Sequence, residues 1–345
     1  MKKHRHNVIK RLFKKEEVHK PSLEEVNKYK SIIEKIRQET AKTVVGQIEV
    51  LNGIIRAVLC DGHVLLEGIP GIAKTLIVRT LATVTGGKYS RVQFTADLLP
   101  SDITGFVSYN KEKEEFVVIK GPIFGNYIIA DEVNRSPPKV QSAILEAMQE
   151  RQVTIGNTTY PLPKPFFVMA TQNPIESSGV YPLPEAQLDR FLFKVKITYP
   201  KLEEESFILR RNMTLNRFDE FDLKQISDPK QMTEMQNFTK KIYLSKEIED
   251  YIVRIIDATR NSEKYKISLG RYIDWGCSPR GSIGLFIGSK AEALIKGSNY
   301  VTPQHVKNVA YDVMRHRILL NYEGQAENIK TEDIIKEVLQ KVPTP

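Results

Sequence analysis

The twenty residues HVLLEGIPGIAKTLIVRTLA (63–82) constrain this chain more than any other stretch. A short apolar run ends at Glu67-Gly68, a loop holding Pro70 and Gly71 follows, and a second apolar run opens on Lys74-Thr75. That order fits a strand, a tight loop and a helix entered at Lys74. Backbone N–H groups gathered at a helix start form an anion site, since unpaired donors and the helix dipole both favour negative charge. The usual phosphate-loop pattern has glycine before the lysine, and here Ala73 stands in its place. A methyl group is tolerated there if the backbone is helical, because the N–H does the binding. Lys74 would then reach the β- and γ-phosphates, and the Thr75 hydroxyl would ligate Mg²⁺. Taken alone, the near-match fits a chance strand–turn–helix equally well.

The flanking sequence supplies the context. Residues 23–58 alternate charged and apolar positions at helical spacing, with TVVGQ (43–47) as the break. After the loop, short apolar runs alternate with helical ones: YSRVQF (89–94), NYIIADE (126–132), FFVMATQNP (166–174) and FLFKVKI (191–197). Between the second and third lies PPKVQSAILEAMQER. Strands joined by helical crossovers predict a parallel sheet covered on both faces. Two inserts read as hairpins, GFVSYNKEKEEFVVIKG (105–121) and RQVTIGNTTYPLP (151–163), the latter turning at Gly156-Asn157. Beyond Pro200 strand signals weaken and the chain turns helical. The expected organisation is a basic tail (1–22), an α/β nucleotide-binding core (23–200), and a linker with a smaller α-helical domain (201–345).

Composition narrows the class. Residues 1–20 hold eight Lys/Arg and two Glu, a balance of +6, so the remaining residues carry only +3 of the net +9. That tail reads as a solvated or poorly ordered end, with a weak electrostatic contact to anionic lipid or nucleic acid as the alternative, and no clear nucleic-acid partner is expected. The two cysteines, Cys60 and Cys277, have no metal-site spacing, which points to a reducing compartment. No apolar run reaches the ~18–20 residues of a membrane span, and the tail lacks the apolar segment of a secretory signal. A cytoplasmic protein is expected.

Further motifs complement the loop. YIIADEVNR carries an apolar run ending in Asp131-Glu132, which sets one carboxylate for a Mg²⁺ shell and a neighbour to activate water. FFVMATQNP ends in Asn173, whose amide could contact the γ-phosphate or hold the attacking water, although Asn-Pro is also a common turn start. In LPEAQLDRFLF, Arg190 is either a surface arginine or one supplied in trans to a neighbouring subunit's γ-phosphate. In CSPRGSIGL, Arg280 opens an apolar helix against the dipole, so a local anionic partner is expected.

In this order the motifs resemble the AAA+ ATPases, and specifically the MoxR family. EGIPGIAKT resembles that family's Walker A, in which alanine before lysine is a familiar variant. LLPSDITGF and the segment from Lys120 to Gly156 resemble its helix-2 insert flank and Walker B region. The segment from Phe166 to Phe193 resembles its sensor 1 and arginine-finger region, and SPRG its sensor 2, departing slightly from the usual SPRA. The resemblance runs unbroken from about Val44 to Ile197 and thinly to about residue 325. It implies a P-loop AAA+ core with β-hairpin inserts followed by a helical lid, ATP and Mg²⁺ as ligands, and ATP hydrolysis.

Residue by residue, the resemblance assigns Lys74 and Thr75 to phosphates and Mg²⁺, and Asp131 to Mg²⁺. Glu132 becomes the base, Asn173 sensor 1, Arg190 the trans finger and Arg280 the sensor 2 arginine. Gly68, Ile69, Pro70, Gly71, Ile72, Ala73 and Leu76 would line the phosphates with them, and Val45, Gly46 and Gln47 would flank the adenine. Arg135 would face a subunit interface. The resemblance also implies a homo-oligomeric ring, usually hexameric, with chaperone-like action on a protein client and a von Willebrand factor A domain partner. Hairpin 105–121 would face the pore or substrate side. Alternatives are a magnesium-chelatase-type motor subunit, an assembly module without turnover, and a small-molecule P-loop kinase.

Overall fold

The computed structural model describes residues 20–44, 46–68, 74–173, 180–200, 202–211 and 218–345. Most of the basic tail, Val45 and the loop Ile69, Pro70, Gly71, Ile72 and Ala73 therefore lie outside the described residues. Among the described residues two helices come first, α1 (Leu23–Thr40) and α2 (Ile48–Leu59), then β1 (Val64–Glu67) and α3 (Lys74–Val84). The sheet is completed by β2 (Tyr89–Gln93), β5 (Tyr127–Asp131), β8 (Phe167–Gln172) and β9 (Phe193–Lys196). Its order is β2-β5-β8-β1-β9, and each adjacent pair is parallel.

The apolar runs explain why this sheet is buried on both faces. Alternate residues of a strand point to opposite sides. Val64, Leu66, Tyr127, Ile129, Phe167 and Met169 feed one core, whereas Leu65, Ile128, Ala130, Val168 and Ala170 feed the other. The first core is shared with α1, α2, α3 and the C-terminal helices. The second is closed by α4 (Pro100–Thr104) and α5 (Pro138–Glu150). Both inserts are antiparallel hairpins, β3 (Gly105–Asn110) with β4 (Glu115–Lys120), and β6 (Gln152–Ile155) with β7 (Thr158–Pro161).

After α6 (Glu185–Leu188), β9 and α7 (Leu202–Arg211), the chain builds a helical unit. It comprises α8 (Pro229–Lys241), α9 (Lys246–Arg260), α10 (Pro279–Lys296), α11 (Pro303–Met314), α12 (Tyr322–Ala326) and α13 (Thr331–Lys341). A short antiparallel ribbon of β10 (Ile273–Trp275) and β11 (Leu319–Leu320) completes it. This unit is seated on α2 and β9. A Cβ at Gly288 of α10 would sit 3.1 Å from Phe193, so the glycine brings the helix close to the edge strand. Arg56 of α2, its side chain 7% exposed, reaches Glu292 of α10 at 2.9 Å and Asp312 of α11 at 3.2 Å. Removing one partner of such a buried pair strands a charge, which makes the seam intolerant of single losses.

Two buried histidines lock strand starts. His63 Nδ1 accepts from Val168 N at 3.0 Å while Nε2 meets Met148 O at 3.2 Å. His316 Nε2 donates to Phe191 O at 3.1 Å. Burial, together with neighbouring guanidinium groups, holds both imidazoles neutral, well below the ordinary histidine range. The unfolded chain binds protons at both below pH ~6.5 and the folded chain does not, so stability is full above that value and lost as pH falls. The free energy of unfolding should drop between pH 7 and 5.5 with a slope approaching about 1.4 kcal/mol per pH unit per histidine. Urea titrations should show a shallower slope in His316→Gln, and an unchanged slope would refute the assignment.

Candidate nucleotide site at the strand C-terminal edge

Because every strand of the sheet is parallel, the residues that follow the strands gather along one edge. Glu67 is opposite Gln172, Ala130 opposite Ala170, and Gln93 opposite Asp131. Gly68, Asp131, Glu132 and Asn173 therefore lie on the same edge, where α3 begins with Lys74 and Thr75. Lys74 Nζ donates to the Gly68 carbonyl. A Cβ at Gly68 would come 2.2 Å from the Ile197 side chain and 2.6 Å from its carbonyl oxygen. The glycine is thus required by the close passage of the chain leaving β9, a reason the loop pattern alone does not reveal. Gly46 has φ +75, a left-handed conformation suited to glycine. Gln47 is buried and donates to Thr198 O at 3.0 Å. Thr75 and Leu76 are half-buried in the first turn of α3.

The acidic pair is held in a strained turn. Glu132 has φ 57 and ψ 51, left-handed values that cost a non-glycine residue about 1 kcal/mol or more. Thr171 of the neighbouring strand supports this turn. Its hydroxyl donates to Asp131 Oδ1 at 2.7 Å and accepts from Glu132 N at 2.8 Å. Asp131 Oδ2 also meets Arg91 at 2.8 Å. The Glu132 carboxylate is engaged by the Gln93 amide at 2.8 Å and by Arg135 at 3.2 Å. Arg135 thus turns back to the acidic pair of its own chain. Asn173 is buried at the end of the adjacent strand, so β5 and β8 being neighbours sets it in the same row.

The two remaining arginines lie elsewhere. Leu192 N donates to His63 O at 2.9 Å, which places the segment after α6 beside the start of β1, at the opposite edge of the sheet. The strand between measures about 13 Å at 3.3 Å per residue. Arg190 is exposed there. Arg280 is with it: Nη1 lies 3.6 Å from Asp189 Oδ2 and Nη2 donates to Gln149 Oε1 at 3.3 Å. Asp189 is the local anion that the helix-opening arginine called for.

Sequence reasoning missed Arg91, Gln93 and Thr171, which hold the two carboxylates, and Asp189, which meets Arg280. Arg91 and Gln93 stand two apart on β2, a period-2 signal of one shared face. Nothing in the sequence says which strand that face adjoins.

A helix opened by Lys74 after β1, an acidic strand end on a parallel sheet and a following helical unit fit a P-loop ATPase of the AAA+ class. Residues 63–193 match the model of the ATPase family associated with various cellular activities, and residues 270–338 match an AAA lid domain. The chain is 46% identical to Chaperone MoxR1 of Mycobacterium tuberculosis over 309 residues, 89% of this chain and 81% of the relative. It is 41% identical to YeaC of Bacillus subtilis (88% and 92% covered) and 29% identical to Protein MoxR of Methylorubrum extorquens (90% and 94% covered). A crystal structure from Cytophaga hutchinsonii superposes with a TM-score of 0.88 at 46% identity, covering 93% of this chain and 97% of that one. The chain belongs to the MoxR family of AAA+ ATPases.

Thr171 is the accessible test of the acidic turn. Thr171→Val keeps its shape but removes both hydrogen bonds, leaving the Glu132 N–H without its partner. Stability by urea titration should fall by about 1–3 kcal/mol, the cost of an unmet buried donor and acceptor. A loss below ~0.5 kcal/mol would show that the turn does not depend on this hydroxyl.

Proposed function

We propose that the chain hydrolyses ATP at a site completed by a second copy of itself, and uses the cycle to remodel a protein client. The observation that carries this reading is the division of the charged groups. Lys74, Thr75, Asp131, Glu132 and Asn173 share one edge of the sheet, whereas Arg190 and Arg280 share the other. No rotamer change can bring an arginine across the length of a strand to its own chain's lysine. A head-to-tail neighbour can, and repeated contacts of that kind close into a ring, which we take to be a hexamer.

Within such a site each group has a distinct task. Lys74 and the first turn of α3 neutralise the phosphates. Thr75 and Asp131 offer a hydroxyl and a carboxylate, the hard oxygen donors that suit Mg²⁺, which would supply charge neutralisation on the phosphate oxygens. The Thr171 hydrogen bond already orients the Asp131 oxygen for such a role. Glu132 takes a proton from the attacking water once it leaves Gln93 and Arg135, and Asn173 orients that water. The neighbour's Arg190 and Arg280 stabilise the charge that develops on the transferred phosphoryl group.

Remodelling is supported by the first hairpin. Phe106, Val107, Tyr109, Phe116, Val118 and Ile119 are all exposed large hydrophobic residues. A relative is named a chaperone, and we carry that activity to this chain, with a von Willebrand factor A domain protein as its partner. Among the described residues no helix is long and apolar enough to cross a membrane, and we place the protein in the cytoplasm.

Arg190→Ala and Lys74→Ala should each abolish most steady-state ATPase activity, by about 10³-fold for the finger. Mixed together they should recover turnover, because a Lys74→Ala subunit lends its arginine to an Arg190→Ala subunit whose own phosphate site is intact. No recovery, or full-rate hydrolysis by isolated single chains, would overturn the shared site.

A further inference from the structure

The segment that presents Arg190 is gripped by one buried side chain from the helical unit. Arg317, its side chain 2% exposed, follows the end of α11. A guanidinium has five N–H donors, and here all five are matched. Nε donates to Asp189 Oδ1 at 2.8 Å, Nη2 to Asp189 O at 3.2 Å and to Phe191 O at 2.7 Å, and Nη1 to Leu192 O at 3.1 Å and to Val313 O. Four of the five bonds fall on residues 189–192. They leave out Arg190, whose side chain is exposed.

The same carboxylate also holds the start of α10. Ser278 Oγ donates to both oxygens of Asp189, at 3.0 and 2.9 Å, while accepting the Arg280 N–H at 3.1 Å as the helix cap. Arg280 Nη1 lies 3.6 Å from Asp189 Oδ2. One aspartate is therefore bonded to the helix that carries Arg280 and to the arginine that clamps the backbone on either side of Arg190.

We propose that Arg317, acting through Asp189, is a positioning residue that fixes Arg190 and Arg280 as one rigid pair, so that movement of the helical unit carries both guanidinium groups together toward or away from the neighbour's ATP. Residues 189–192 belong to no helix or strand, so without the clamp Arg190 could sample more positions, and catalysis by a charged group falls steeply with misplacement. The fork of an arginine is what makes the clamp, since a lysine offers three donors around a point charge and cannot span four acceptors. The inference rests on Arg190 acting in trans.

Arg317→Lys keeps the charge and loses the fork. In assembled protein it should lower kcat by at least about tenfold while leaving KM for ATP within about twofold, because its own phosphate cradle lies on the other edge. The decisive measurement mixes Arg317→Lys with Lys74→Ala subunits. The Lys74→Ala neighbour brings a correctly held arginine pair, so turnover per Arg317→Lys site should rise severalfold. A merely structural role would leave each Arg317→Lys subunit defective whatever its neighbour, and the mixture would match the sum of its parts. That result, beside recovery in the Arg190→Ala with Lys74→Ala control, overturns the positioning role and leaves the shared site standing. Failure of the control overturns both. Should Arg317→Lys not fold, Asp189→Asn carries the same expectations in the same mixtures.

Discussion

In a parallel sheet every strand points the same way, so residues that follow strands and residues that precede them lie on opposite edges. In this protein that constraint divides the charged side chains into two sets. The lysine, the acidic pair and the asparagine follow strands or open the helix after one, whereas Arg190 sits just ahead of the last strand. The order β2-β5-β8-β1-β9 then decides neighbours, setting Asn173 between the end of β1 at Gly68 and the acidic turn. The helical unit is bound to the arginine edge, through Asp189, and to α2, through Arg56. Any movement of it would therefore bear first on the arginines and only indirectly on Lys74 and the acidic pair.

One of the left-handed non-glycine residues, Glu132, falls where the chemistry is proposed. Glu132 is in the left-handed region, immediately after a strand whose first four residues are buried. The Thr171 hydroxyl serves both Asp131 and Glu132, which compensates part of that cost. Arg91 and Gln93, from the edge strand, complete the surroundings of the two carboxylates. Thr171 and Arg91 thus fix Asp131, whereas Gln93 and Arg135 hold Glu132 in contacts that the proposed base would have to leave.

The sheet, its two hairpins and the helical C-terminal part were legible because each rests on local periodicity. Apolar runs such as YIIAD and FVMAT read as strands buried on both faces, and Gly156-Asn157 reads as a tight hairpin turn. The acidic pair and Asn173 were legible as polar residues closing apolar runs. Thr171 was not, since one threonine inside a strand carries no signal until its neighbour is known. Arg317 was equally silent: an arginine at the end of a helix normally reads as a solvated residue complementing the dipole, and here it is buried with all its donors matched.

By itself the sequence determined the elements and their order, and which residue types close each strand, because these follow from spacing along one chain. Strand neighbours, the edge on which each group falls, and the tie between Asp189, Ser278, Arg280 and Arg317 were decided only by the tertiary structure. Those depend on contacts between positions more than 120 residues apart, and a linear pattern holds no information about which distant residues meet. The separation of the arginines from the lysine is a property of the packed sheet, not of any motif.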